Sequence, residues 1–150
     1  MGYFPSGVTI VTTWAGESPV GSTINAFCSV SLTPPLLLIC LDLKNPIRSP
    51  LEQARVFGVN MLHEDGLHVA QHFARDPESD RFRDLAYRAA PGGAPQLLDA
   101  PVFIDCGAED IHAAGDHLIV VGRGLRIEHA SSAEPLLYHK GRYPRIGRVD

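Results

Sequence analysis

No stretch of this sequence stays apolar for long. The longest uninterrupted run, Leu36 to Leu41, spans six residues, against the roughly 20 that a membrane-crossing helix needs. The opening Met-Gly-Tyr-Phe-Pro-Ser-Gly-Val has neither the basic start nor the apolar centre of a secretory signal. Cysteine is scarce: Cys28, Cys40 and Cys106 are an odd set of three with no CxxC pair. That argues against a disulfide framework and for free thiols in a reducing cytoplasm. Blocks of like charge are also missing. Thirteen Lys and Arg, 17 Asp and Glu and 7 His give a formal net charge of -4, spread along the chain without the basic footprint of a nucleic-acid binder. The expectation is a soluble, cytoplasmic protein with no nucleic-acid or membrane partner.

Several signatures of chemistry are absent as well. No GxGxxG follows a strand and no GxxxxGK[ST] occurs, which excludes dinucleotide-fold and P-loop nucleotide binding. No GxSxG marks a serine hydrolase. His68 and His72 stand four apart on a predicted helix, but no third ligand accompanies them. A solvated helix face is the simpler reading, and no metal site is predicted.

What the chain does contain fits one domain over residues 1–150, with 45% hydrophobic and 20% charged residues, ordinary values for a globular protein. Its most unusual stretch runs from Pro19 to Pro35. Those seventeen residues carry five Ser/Thr hydroxyls and one Asn, and no charged side chain. Neutral donors and acceptors among apolar residues suit a face that hydrogen-bonds something flat and neutral, such as a base, a flavin or a nicotinamide. They also suit ordinary strand positions, and composition alone leaves both readings open.

Gly7 to Trp14 is dense in β-branched residues and is predicted as a strand. Ala15 to Pro19 is a turn, with further strands at Val20 to Thr23 and Phe27 to Ser31. Pro34 and Pro35 are expected to stop the ladder. The apolar run Leu36 to Asp42 predicts a strand buried on both faces. A short helix is expected at Leu51 to Arg55, a strand at Phe57 to Leu62, and an amphipathic helix over Gly66 to Ala74. Arg75 to Ala100 reads as a long irregular connection. Strands return at Val102 to Cys106 and His117 to Ile127, then a short strand or turn at Leu136 to Tyr143. Such a chain predicts a mostly antiparallel barrel with helical excursions.

Two cationic loops flank this framework, one with Lys44, Arg48 and Ser49 and one with Arg75, Arg81 and Arg83. Each alone is a solvated patch, whereas two sets beside a neutral polar face match a nucleotide's phosphate and ring. Asp116-His117 after Gly115 delivers an imidazole to the start of an apolar strand, as a structural hydrogen-bonding residue or a functional one.

Six separated blocks carry a resemblance. They are Phe-Pro-Ser-Gly-Val-Thr-Ile-Val-Thr-Thr (4 to 13), Gly-Ser-Thr-Ile-Asn-Ala-Phe-Cys-Ser-Val-Ser-Leu-Thr-Pro-Pro-Leu (21 to 36) and Phe-Gly-Val-Asn-Met-Leu (57 to 62). Next come Phe-Ala (73 to 74) with Asp-Arg-Phe (80 to 82), Gly-Asp-His-Leu-Ile-Val-Val-Gly-Arg (115 to 123) and Leu-Leu-Tyr-His-Lys-Gly-Arg-Tyr (136 to 143). In this order the chain resembles the flavin reductase-like family, the reductase component of two-component flavin monooxygenases. The resemblance implies an antiparallel, Greek-key split β-barrel with a few short helices. It further implies a homodimer that reduces FMN or FAD with NADH or NADPH, and a partner oxygenase that receives the diffusing reduced flavin.

Carried over by position, Ser22, Thr23, Ile24, Asn25 and Ala26 would line the flavin ring, with Ser29 near its pyrimidine side. Lys44 and Asn45 would begin the phosphate loop, and Phe73 and Arg81 would close over the ribityl and phosphate side. His117, the implied catalytic residue, and Tyr143 would face the nicotinamide, with His139 and Arg142 close by. One departure stands out. Where relatives commonly carry Ser-x-Thr in the phosphate loop, this chain has Asn45-Pro46-Ile47, which leaves Arg48 or Ser49 as substitutes. The same barrel also admits a flavin- or heme-handling binding protein without turnover, and a pyridoxine phosphate oxidase-like enzyme, which lacks the Gly-Asp-His block.

Overall fold

The computed structural model describes residues 2–130 and 133–147. Thr9–Ala15 (β2) is threonine- and valine-rich as a strand should be, and it pairs along its length with Ser18–Ile24 (β3). Gly16 turns the hairpin at φ 63, a left-handed conformation that glycine takes without Cβ strain. Phe27–Leu32 (β4), Pro35–Asp42 (β5), Val56–Met61 (β6), Val102–Ala114 (β9) and His117–His129 (β10) complete one antiparallel sheet, in the order β3-β2-β6-β9-β10-β5-β4. Ser6–Gly7 (β1) pairs separately with Leu137–Tyr138 (β11).

That order has a geometric consequence. β3 and β4 are consecutive in the chain and joined only by Asn25 and Ala26, yet they stand at opposite edges of a seven-stranded sheet. A two-residue link cannot cross a flat sheet of that width, where strands lie about 4.8 Å apart. The sheet therefore curls until its edges meet, giving a split barrel whose seam is residues 24–27. Cys40 donates its amide to the Ala26 carbonyl at 3.0 Å, which ties the link to β5.

Inside the barrel, Val11, Ile39, Leu41, Phe57, Val59, Cys106 and Val120 are fully buried. A second cluster forms where Leu67–Arg75 (α2) packs on the outside of β2 and β3, with Phe73 and Ala70 fully buried against Ile10. Arg48–Ala54 (α1) covers one end and buries Leu51.

Five local expectations need correction. Pro34 and Pro35 do not stop the ladder, because β5 starts at Pro35, paired with Leu32; at a strand's first residue a missing N–H costs no interior hydrogen bond. β5 is not buried on both faces. Leu37, Ile39 and Leu41 are buried, whereas Leu36, Leu38 and Cys40 are only half-buried. The connection after Arg75 is partly ordered, with a 3-10 turn at Glu78–Asp80 and a hairpin of Tyr87–Ala89 (β7) and Pro95–Leu97 (β8). β9 continues past Cys106 to Ala114, where exposed Glu109, Asp110 and His112 hid it from a pattern of apolar residues. α1 also begins at Arg48, three residues before its predicted start.

The β7–β8 hairpin is held by a buried carboxylate. Asp105 on β9 accepts hydrogen bonds from the amides of Gly92 at 2.6 Å and Ala94 at 3.3 Å. Next to that hairpin, Gly58 on β6 is packed so closely that a Cβ there would lie 2.6 Å from the Phe103 ring and 2.8 Å from the Pro95 carbonyl. Gly58→Ala should therefore destabilise the fold by about 1 to 3 kcal/mol through overpacking. A thermal melt should show a Tm lower by several degrees, while Gly7→Ala, with nothing within 4 Å of the new Cβ, leaves it unchanged.

Candidate functional site

The seam exposes what the rest of the sheet hides. β3 is an edge strand, so its alternate amides and carbonyls face away from β2 without ladder partners. Gly21 turns its carbonyl to that open edge, where Arg81 Nη1 donates to it at 2.9 Å. By strand alternation the Thr23 amide faces the same edge. Asn25 and Ala26 are exposed at the link, and Ser22 is buried beside them.

Several of the hydroxyls here hold the fold. Thr23 Oγ1 donates to the Ala70 carbonyl at 2.6 Å and so fastens α2 to β3. Thr9 Oγ1 donates to Ile24 O at 2.7 Å, securing the strand just before the seam. Ser22 Oγ accepts from Asn45 Nδ2 at 3.1 Å, and its own proton remains available to a ligand. Asn45 Oδ1 in turn accepts from the Ile47 amide at 3.1 Å. Asn45 thus shapes its loop and binds it to the seam.

The cations divide sharply. Arg48 lies against Glu52 at 3.3 Å and Ser49 accepts from Gln53, so both serve α1. Lys44 is exposed. Arg81 differs from these, for it keeps only 9% of its surface exposed and makes no ion pair with any described residue. Its Nε donates to the Asp76 carbonyl at 3.0 Å and Nη1 to Gly21. A largely buried guanidinium whose partners are carbonyls has unspent charge, and such a group is set to receive an anion. Phe73, which was expected over the ligand, lies beneath Gly21 instead: a Cβ there would come within 2.7 Å of its ring.

Next to the seam opens a cavity of about 330 Å³ lined by Thr23, Asn25, Tyr143 and Tyr138 with Phe4 and Val8. The Tyr138 and Tyr143 rings meet edge to face, 5.5 Å between centroids. His139 and Arg142 close the intervening turn through their backbones. A cavity of about 340 Å³ on another side of α2, floored by Leu62, Val69 and Leu97, contains none of the predicted site residues.

The structure brings together Ser22, Thr23, Ile24, Asn25, Ala26, Asn45, Phe73, Arg81 and Tyr143. Ser29 lies further along β4, exposed on the open side. His117 sits at the start of β10 opposite Asp42, and the Leu43 amide donates to Asp116 O at 3.0 Å. It therefore reaches the seam only through the loop that runs on to Asn45. Sequence reading missed the Asp76 carbonyl and the Gly21 carbonyl, since backbone groups leave no trace in side-chain type.

Burial disfavours the thiolate at two of the three cysteines, whereas Cys28 is exposed. The Cys106 thiol is pushed up to about 12, first by burial and then by the charge of Asp105. Burial also raises Cys40. The described residues contain no cluster of three or more His, Cys, Asp and Glu able to hold a metal, and no helix among them is long and apolar enough to cross a membrane.

A family model for the flavin reductase like domain matches residues 1–147. The chain belongs to the flavin reductase-like family. It is 40% identical over 148 residues to a probable flavin reductase of Rhizobium meliloti, covering 97% of this chain and 47% of that protein. It thus spans about half the length of that relative. It is 35% identical over 147 residues to the reductase subunit of a flavin-dependent monooxygenase from Rhodococcus jostii, covering 97% and 74%. Among solved structures, the Streptomyces globisporus NADH:FAD oxidoreductase in complex with NAD and FAD fragments superposes with a TM-score of 0.91 at 34% identity, covering 97% of this chain and 88% of that one. That solved relative shares the fold described above.

His117 Nδ1 lies 2.7 Å from Asp116 Oδ1, and that hydrogen bond, with the imidazole's charge, holds the Asp116 carboxyl below its ordinary value. A carboxylate lowered on folding adds stability above its unfolded value, and the gain is lost as pH falls through the folded one. NMR titration should find Asp116 below the usual aspartate value, and His117→Ala should bring it back up.

Proposed function

We propose that this chain is an NAD(P)H:flavin oxidoreductase that reduces FMN or FAD and releases the reduced flavin to a partner oxygenase. One observation carries the assignment: a neutral Ser/Asn seam with open backbone groups adjoins a nearly buried guanidinium that pairs with no anion among the described residues. A flavin nucleotide has both complements, a flat ring with amide-like edges and a phosphate. The relatives named as a monooxygenase reductase subunit and as an NADH:FAD oxidoreductase support the same reaction and an oxygenase partner.

The flavin supplies the chemistry when bound, accepting a hydride from the reduced nicotinamide, so no protein nucleophile is needed. The chain's residues bind and orient. Ser22 and the Thr23 amide offer donors at the ring's edge, and backbone donors placed there favour negative charge as it develops. Arg81 holds the phosphate, taking the part that the missing Ser-x-Thr hydroxyls play in relatives. Asn45 keeps the loop on Ser22. Tyr143 and the His139–Arg142 turn wall the adjoining cavity, which suits an apolar ring lying against the flavin. His117 is assigned to the nicotinamide side, with Nδ1 engaged by Asp116.

A second copy completes the site in this reading. The half-buried row of Leu38, Cys40, Ile119 and Val121 on the outer face of β5 and β10 continues to exposed Cys28 on β4, opposite Leu38. An apolar sheet face of this extent calls for a cover, and a homodimer provides it. Free Cys28, Cys40 and Cys106 agree with a cytoplasmic protein.

Purified protein given NADH or NADPH should oxidise it when FMN or FAD is added. No oxidation of either with either flavin would reject the assignment, and tight flavin binding without turnover would indicate a flavin-handling protein. His117→Ala should lower kcat, or raise the nicotinamide KM, by roughly tenfold, about 1.4 kcal/mol. Unchanged kinetics would make His117 a structural residue.

A further inference from the structure

The freedom of Arg81 has a cause in the preceding helix. Asp76 lies next to the guanidinium, close enough for its carbonyl to accept from Arg81 Nε at 3.0 Å, yet its carboxylate does not pair with that arginine. His72, one turn back on α2, has taken the carboxylate: Nδ1 stands 2.5 Å from Asp76 Oδ2. The other ring nitrogen, Nε2, is 3.2 Å from the Asp80 carbonyl. The ring thus bridges the Asp76 carboxylate and the Asp80 carbonyl. The ring is further fixed edge to face against Phe73, with centroids 5.8 Å apart. Asp80's own carboxylate is occupied by Arg83 at 2.5 Å. Of the acids in the 76–80 turn, Asp76 and Asp80 are thus each engaged by another base, and Glu78 is exposed.

We propose that His72 is a positioning residue for the flavin phosphate. By holding the Asp76 carboxylate, it withholds from Arg81 an anion on the residue whose backbone carbonyl Arg81 already contacts. Remove the imidazole, and Asp76 turns to the guanidinium and competes with the phosphate. This deepens the assignment of Arg81 as the phosphate's cation and rests on it.

Steady-state kinetics with FMN and with riboflavin, which has the same ring and no phosphate, separate the possibilities. His72→Ala should raise the FMN KM about fivefold or more while leaving kcat within about twofold, and the riboflavin KM should not move. Adding Asp76→Asn to that variant removes the competing charge and should return the FMN KM to within about twofold of the starting value. Asp76→Asn alone should stay near the starting value and keeps the test available if His72→Ala fails to fold. Arg81→Gln should raise the FMN KM and spare riboflavin. If Arg81→Gln behaves so but His72→Ala leaves FMN unchanged, impairs riboflavin equally, or is not rescued by Asp76→Asn, the role of His72 is overturned and the phosphate site stands. A large rise in FMN KM with Asp76→Asn alone likewise overturns it. If Arg81→Gln leaves FMN untouched, the phosphate site itself is wrong and His72 falls with it.

Discussion

Two residues, Asn25 and Ala26, join strands that lie at opposite edges of a seven-stranded sheet, and the rest of the architecture follows from that short tether. Because the edges must meet there, the barrel closes without forming a continuous ladder across the seam. Backbone groups that a closed barrel would pair are left open at this line. A polar ligand can take them only if its surroundings are otherwise dry and neutral, which accounts for the lack of charge from Pro19 to Pro35. The seam is at once a weak point of the sheet and the place where it can bind.

Beside the seam, one largely buried cation, Arg81, has no carboxylate partner among the described residues. Arg48, Arg83, Arg88, Arg123, Arg126 and Arg145 each have a carboxylate partner, whereas the far less exposed Arg81 has carbonyls alone. Exposed ion pairs of the first kind contribute little, about 0 to 1 kcal/mol each. A guanidinium with little solvent and no counter-charge costs more, and that cost is recovered when an anion arrives. The proposed preference for a phosphorylated ring rests on this cation at the end of a neutral strip.

Much of this was legible in the sequence. Alternation and β-branching revealed β2, β3, β6 and the start of β10, and helical spacing revealed α2, because each depends on neighbours within a few residues. The resemblance of six blocks to flavin reductases pointed to the seam and to Arg81 by position. What stayed hidden depends on partners far along the chain. The second half of β9 is polar and becomes a strand only because β10 pairs with it to Ala114. The β7–β8 hairpin is held by Asp105 from another strand, and the outer face of β5 looks buried in sequence because its apolar residues exceed what one chain can cover. The quiet coupling of His72 to Asp76 sits on a helix face that reads simply as solvated.

The central claim is that flavin occupies the seam between β3 and β4, with its phosphate on Arg81. Hydrogen exchange of the protein with and without FMN tests it most directly. Slowed exchange should centre on residues 20–27 and 76–82, extending to the loop at 43–48. Protection confined to the cavity floored by Leu62, Val69 and Leu97, with the seam unchanged, would contradict the account.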